Sequence, residues 1–447
     1  MEMIEAFIMP PTYKRNLSIA FIFTLLFTVA VVALKKAYHQ NYFVNPSEYS
    51  TYLESDNSSI IARLQDEVDF WEEKIAHHPG QYPYLGKMAT VSEKLFKQSG
   101  DVSWLNKSVD LRKIVAEAEG NKNAATLQGL AHALISQHEF QQALEVLFLA
   151  EALGTDIDVT HLMLSDVYLE IGDVSTSYRY LELTEDKVDP FHYMIRKAKL
   201  ADHEGDLDRA IELLERSLSN IAEDDHELQY WAWSNLGDFY GHAGRIEDSY
   251  DAYLLALDHQ PAEVYPLYGI AWIQYSHLGN YEEAGRMLDV LRKRSDNPTY
   301  FEWKAQIAEM EGKVSDQKIY AQRHYNEVSN DKYGDMYLPH IVEYRLSRGD
   351  DHSSIIKDVY AEVEERPTAQ SHMLLAWTLF HNDQLSDALA IVDKQVYGQC
   401  YEPGVIYKMA EIYKEGGRKN QVAILKKELS DAIYELGPTM EPKIDRL

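Results

Sequence analysis

Ten short turns recur along this chain at a nearly constant interval. Gly100, His138, Gly172, Gly205, Gly244, Gly279, Gly312, Gly349, Asp383 and Gly417 each separate two stretches with helical apolar periodicity. Their mean spacing is about 35 residues. A fixed period between about 20 and 50 residues is the mark of a solenoid. One helix pair cannot bury its apolar face alone, so its neighbours must stack on it. The period restricts the chain more than any other feature, because it replaces a single closed core with a line of repeated ones.

The stretch "WSNLGDFYGHAGRIEDSYDAYLLALDHQP", residues 233 to 261, shows one unit. Small residues fall where two helices must approach: Gly237, Ala131 and Ala198 on first helices, and Ala143, Ala210, Ala284 and Ala388 on second helices. Trp233, Tyr240, Tyr253 and Leu288 are large enough to fill the space around them. Pro190, Pro298, Pro367 and Pro403 precede new helices, where a missing N–H costs little. These residues resemble the tetratricopeptide repeat family. Its pattern appears at Trp233, Leu236, Gly237, Tyr240, Tyr253, Ala256 and Pro261, with Ser249 in place of the usual Ala. Lys304 and Gln317 depart further from it. The resemblance covers residues 80–436. It implies an all-α, right-handed superhelical solenoid of about nine to ten antiparallel helix pairs that acts through its concave groove.

The N-terminal region reads differently. "NLSIAFIFTLLFTVAVVAL", Asn16 to Leu34, carries no charge. Its residues 17–34 would span roughly 27 Å as a helix, close to the thickness of a bilayer's hydrocarbon core. A secretory signal has a shorter apolar core and ends in small residues. Here Lys35 and Lys36 follow instead. The expectation is a tail over 1–16, an uncleaved transmembrane anchor over 17–36 and a polar linker over 37–56. A capping helix then occupies 57–79, the solenoid 80–436, and a frayed tail 437–447. Lys14 and Arg15 balance Lys35 and Lys36 across the segment, so the positive-inside rule is tied. The simpler insertion keeps the short tail inside and puts the solenoid outside the cytoplasm.

Charge narrows the partner. The chain holds 72 acidic and 43 basic side chains, for a net charge of −29. So acidic a surface argues against nucleic acid and anionic headgroups as ligands. The single cysteine, Cys400, precludes an intrachain disulfide and reads as a small buried side chain. The sequence contains no phosphate loop, H-E-x-x-H helix, nucleophile elbow or calcium loop. We expect no enzyme activity, no cofactor and no metal site.

Within the resemblance, groove-facing positions fall between the packing positions of each first helix. They are Asp166, Glu170, Asp202, Trp231, Asp238, Glu302, Glu309, Glu343, Trp377, Tyr407 and Glu411. Carboxylates interleaved with aromatics suit a basic or amphipathic peptide. Family members that clamp a C-terminal carboxylate use Lys, Asn and Arg in such places, and only Lys199 and Asn235 come near that set. The expected function is a membrane-anchored scaffold or adaptor for a partner protein. The rival is a structural subunit of an envelope assembly or secretion complex.

Overall fold

The computed structural model describes residues 43–447. The expected tail, anchor and first part of the linker lie outside the described residues. Among the described residues, no helix is long and apolar enough to cross a membrane. The chain divides into two units, Met1–Glu48 and Tyr49–Leu447. In the first, only residues 43–48 are described, ending in the opening turn of a helix, α1 (Pro46–Leu53).

The second unit is all-α. After α2 (Ser58–His77), ten pairs follow in chain order. The first five are α3 (Tyr82–Ser99) with α4 (Val102–Ala118), α5 (Ala124–Ser136) with α6 (Phe140–Leu153), α7 (Ile157–Glu170) with α8 (Val174–Glu182), α9 (Pro190–His203) with α10 (Leu207–Leu218), and α11 (His226–His242) with α12 (Ile246–His259). The next are α13 (Tyr265–Trp272) with α14 (Tyr281–Leu291), α15 (Thr299–Met310) with α16 (Val314–Val328), and α17 (Leu338–Arg348) with α18 (His352–Glu365). The last are α19 (Ala369–His381) with α20 (Leu385–Ile391), and α21 (Pro403–Glu415) with α22 (Lys419–Asp431). Two short helices, α23 (Ile433–Leu436) and α24 (Glu441–Asp445), close the chain.

Local chemistry explains the punctuation. All ten turn positions read from the sequence adopt positive φ, from 58° at Asp383 to 84° at Gly172. This left-handed residue ends the first helix of each pair and satisfies its last carbonyls. Second helices start on side-chain caps such as Asp206, which accepts from the Arg209 amide at 3.0 Å, and Asn280, which accepts from Glu283. Between the helices of a pair, Leu236, Ala252 and Ala256 are fully buried. Gly237 is there because a Cβ at that position would run into the Tyr253 ring.

Two regions differ from expectation. The linker over 37–56 contains α1, whose Tyr49 and Leu53 are buried. Tyr49 donates to Glu283 at 2.6 Å, so an aromatic in a polar stretch has found a partner 234 residues away. The stretch expected to fray after Gly437 is helical, with Thr439 and Ile444 buried and Gly437 seated on Trp272 and Tyr275. Its polar composition hid two buried anchors.

The larger difference concerns the groove. The later pairs lie directly against the earlier ones. The Asp296 amide donates to the Ser99 carbonyl at 2.7 Å. Asn106 donates to the Lys332 carbonyl, Gln141 to the Glu365 carbonyl, and Arg366 to the Glu170 carbonyl. These contacts join residues 196 to 226 apart, or about six repeats. Gly172 packs on Thr368 and Gly205 on the Tyr401 ring. The winding therefore touches itself, and the concave face turns inward onto a row of cavities.

Candidate functional site

Three open cavities adjoin one another. The first, about 490 Å³, lies between α3, α11, α13 and the Tyr333–Tyr337 segment. The third, about 390 Å³, shares Tyr265, Tyr268 and Asn297 with it. The second, about 820 Å³, shares His242 and Glu435 with the third. The shared walls make one continuous trough.

The two ends have different chemistry. The largest cavity is lined by the carboxylates of Glu170, Asp202, Glu402, Glu428, Asp431 and Glu435, against the two fixed cations Lys199 and Arg366. Arg366 is already engaged, 3.9 Å from Glu170 and 3.6 Å from Glu362. Burial pushes the Asp202 carboxyl above its ordinary pKa, and Glu402 adds to the rise. Burial does the same at Glu435, with Glu402 and Asp202 contributing and His242 opposing. Asp202 is an exposed residue that also lines the cavity. Desolvation and like charge both raise a carboxyl's pKa, and Asp202 and Glu435 feel both.

The third cavity is aromatic, walled by Tyr253, Tyr265, Tyr268, Trp272, Trp303 and Tyr434. Trp272 and Trp303 meet at 4.9 Å between ring centroids, and Tyr268 stands edge-on to Trp303 at 5.9 Å. Asp238 is set among them and accepts from the Tyr253 and Tyr265 hydroxyls, each at 2.7 Å. Burial raises its carboxyl pKa, and the two hydroxyl donors offset only part of that rise. Near the first cavity, Glu263 is also raised by burial, with Lys97 and Gln98 opposing. π faces interleaved with carboxylates attract cations.

The structure brings four of the sequence-chosen residues to the trough: Glu170, Asp202, Trp231 and Asp238. Trp231 lines the first cavity and also packs edge-on to Phe191 at 5.8 Å. The remaining residues lie elsewhere. Asp166 is paired with Arg196 at 2.7 Å, and Glu343 with Lys408 at 2.7 Å. Trp377 meets His381 edge-on at 4.4 Å beside the C-terminal core. Tyr407 donates to Glu411 at 3.2 Å, and Glu309 is exposed. Glu302 stands near two histidines on neighbouring helices.

Sequence reasoning missed Tyr265, Trp303, Tyr434 and Glu435. Tyr434 and Glu435 reach the trough from the last helices, where the Tyr434 carbonyl accepts from Trp272 at 3.0 Å and from Ser276 at 2.6 Å. Only the self-contact of the winding places them there, and no local pattern reports it. Cys400 is buried, and burial pushes its thiol pKa up to about 12.

Fold and cavities together define an all-α helical-repeat protein with an acidic, aromatic interior. No family model matches the chain, and no curated protein matches it. Two solved human IFIT1 dimers are similar at 15% identity, one with m7Gppp-AAAA and one with PPP-AAAA. The first has a TM-score of 0.44 and covers 74% of this chain and 76% of its own. The second has a TM-score of 0.43 and covers 80% and 92%. Likeness at that level carries no argument, and the architecture stands on this chain's own helices.

Proposed function

We propose that the chain is a membrane-anchored scaffold, built as a tetratricopeptide-type superhelix, that holds a basic or amphipathic segment of a partner protein in its interior trough. One observation carries the reading. Six carboxylates face two cations in the largest cavity, and the best placed of them have pKa values raised by burial. A cationic guest would offset the cost of holding ionised carboxylates in the recess. The adjoining aromatic wall offers its alkyl stems a dry surface and its charge a π face. Phosphate-bearing ligands would meet like charge throughout, so nucleic acid is not the guest.

Residues 17–34 supply the anchor in this reading, and the solenoid lies outside the cytoplasm. A reporter fused after Leu447 reads that side directly. The trough is tested with the full chain in detergent, titrated by fluorescence anisotropy with an Arg/Lys-rich peptide, an acidic peptide and single-stranded RNA. Preference for the basic peptide, lost in Asp202→Asn with Glu435→Gln, supports the proposal. Equal binding of all three, or tighter binding of the RNA, overturns it.

A further inference from the structure

Behind the wall of the first cavity, three side chains from three successive helices converge. Glu302 on α15, His324 on α16 and His340 on α17 each present a ligand-capable atom, and these atoms lie within 4.8 Å of one another. They are separated by 22 and 16 residues, a spacing that matches no metal motif, and the sequence reading expected no such site.

His324 is the informative member. It is buried at 8% exposure. Its Nδ1 lies 3.1 Å from the Pro298 carbonyl, which can only accept, so Nδ1 carries the proton. Nε2 therefore keeps its lone pair, and it is buried without a hydrogen-bond partner among the described residues. A buried acceptor left unmatched costs about 1–3 kcal/mol unless something occupies it. An imidazole held through Nδ1–H by a backbone carbonyl, with Nε2 free, is the arrangement by which proteins aim a histidine at a metal. The His340 Nε2 lies 3.6 Å from the Glu302 Oε2, and the two imidazoles approach with ring centroids 5.5 Å apart.

We propose that Glu302, His324 and His340 bind a divalent transition metal, zinc foremost, as a three-ligand site with its fourth position open on the exposed His340 side. Two imidazoles and one carboxylate form a nitrogen-rich set that suits zinc and disfavours calcium or magnesium, which take oxygen ligands. Tetrahedral zinc at about 2.0–2.1 Å from each ligand places the ligand atoms roughly 3.3 Å apart, so the cluster must tighten on loading. His324 is fixed by Pro298, while His340 and Glu302 keep enough exposed side chain to move. The bound ion would tie α15, α16 and α17 together across the Ser329–Tyr337 connection.

The test uses the full chain, stripped with a chelator and titrated with zinc by equilibrium dialysis, with thermal melting in parallel. Wild type should bind one tight equivalent and melt at a higher temperature when loaded. His340→Ala and Glu302→Gln change partly exposed side chains, so both should fold. Each should weaken zinc binding about tenfold or more and abolish the zinc-dependent rise in melting temperature. Cobalt(II) should give a tetrahedral ligand-field spectrum in wild type and lose it in His340→Ala. If either variant binds zinc as tightly as wild type, the ion sits elsewhere among the 17 histidines and the assignment is wrong. Failure of wild type to retain a tight equivalent overturns it equally.

Discussion

The Tyr253 hydroxyl donates to the Asp238 carboxylate at 2.7 Å, joining the two helices of one pair at the edge of the trough. Tyr265, from the next pair, donates to the other oxygen at the same distance. One carboxylate thus links three helices. The Tyr253 ring is held between Gly237 and Gly269, either of which would clash with it if it carried a Cβ. Packing sets the ring, and the ring sets the carboxylate.

Gly237→Ala and Gly269→Ala should each overpack this contact and cost about 1–3 kcal/mol in chemical denaturation. Gly244→Ala meets no neighbouring atom and carries only the strain of its φ of +71°, about 1 kcal/mol. Equal stabilities for Gly237→Ala and wild type would show that the Tyr253 ring has room to move.

Tyr253→Phe removes one of the two donors to Asp238 and leaves a buried carboxylate oxygen unmatched, at about 1–3 kcal/mol. The Asp238 carboxyl pKa should rise further, because that donor lowers it. A double-mutant cycle with Asp238→Asn measures the coupling, and purely additive effects would mean that the contact contributes nothing.

Four recessed carboxyls should make the fold respond to mild acid. Asp202, Asp238, Glu263 and Glu435 have carboxyl pKa values raised above the ordinary range. The folded chain therefore binds more protons than the unfolded one between the ordinary values, about 4, and the raised values, and stability falls as pH rises through that window. Asp173 and Glu283 have lowered pKa values, and their contributions disappear only as pH falls below the ordinary range. On mild acidification the four raised carboxyls should favour the fold. They are opposed at the upper end of the window by His138, His192, His259 and His277, whose pKa values burial lowers. Stronger acidification should lower the melting temperature. Asp202→Asn with Glu435→Gln should weaken the carboxyl contribution, and an unchanged pH profile in that variant counts against these groups.

A cationic guest should show the opposite trend. It binds the ionised carboxylates, so affinity for the basic peptide should weaken over the same acidification in which these carboxyls favour the fold. Added salt should weaken binding less than it would an exposed ion pair, because recessed charges are poorly screened. Affinity that is independent of pH would place the peptide outside the trough.

Arg294 tests the contact between windings. Its guanidinium donates to the Tyr52 and Ala262 carbonyls at 2.9 and 2.8 Å, and Asn57 donates back to the Arg294 carbonyl at 3.3 Å. Arg294→Met should cost about 1–3 kcal/mol through those abandoned acceptors. Hydrogen exchange should rise around Tyr52–Asn57 and Gln98–Asp101. Protection unchanged at both places would show that the windings adhere without it.

The sequence disclosed what short range determines. Each turn position is a Gly, His or Asp that must adopt positive φ, and the close approach at Gly237 follows from its place between two helices. The trough was legible only in part. Asp202, Asp238 and Trp231 follow the repeat, but Tyr434 and Glu435 join them on α23, whose Tyr434 carbonyl accepts from Trp272 and Ser276, 162 and 158 residues earlier, contacts with no periodic signature. His324 was invisible for a related reason. Its role depends on a carbonyl 26 residues away and on a partner from another helix pair.

The backbone bond from Asp296 to Ser99 also bears on how the chain reaches its native state. An ordinary solenoid nucleates anywhere and propagates by nearest neighbours, so its end repeats can melt alone. Here the third pair from the end rests on the third from the beginning, through Arg366 and Glu170, and neither is complete without the other. Such long-range pairing raises contact order and slows folding, because large loops must close before their contacts form. It also predicts all-or-none unfolding. Removing the chain from Tyr401 onward should loosen the end of α9 at Gly205, which Tyr401 covers, while an open array would lose only its last step.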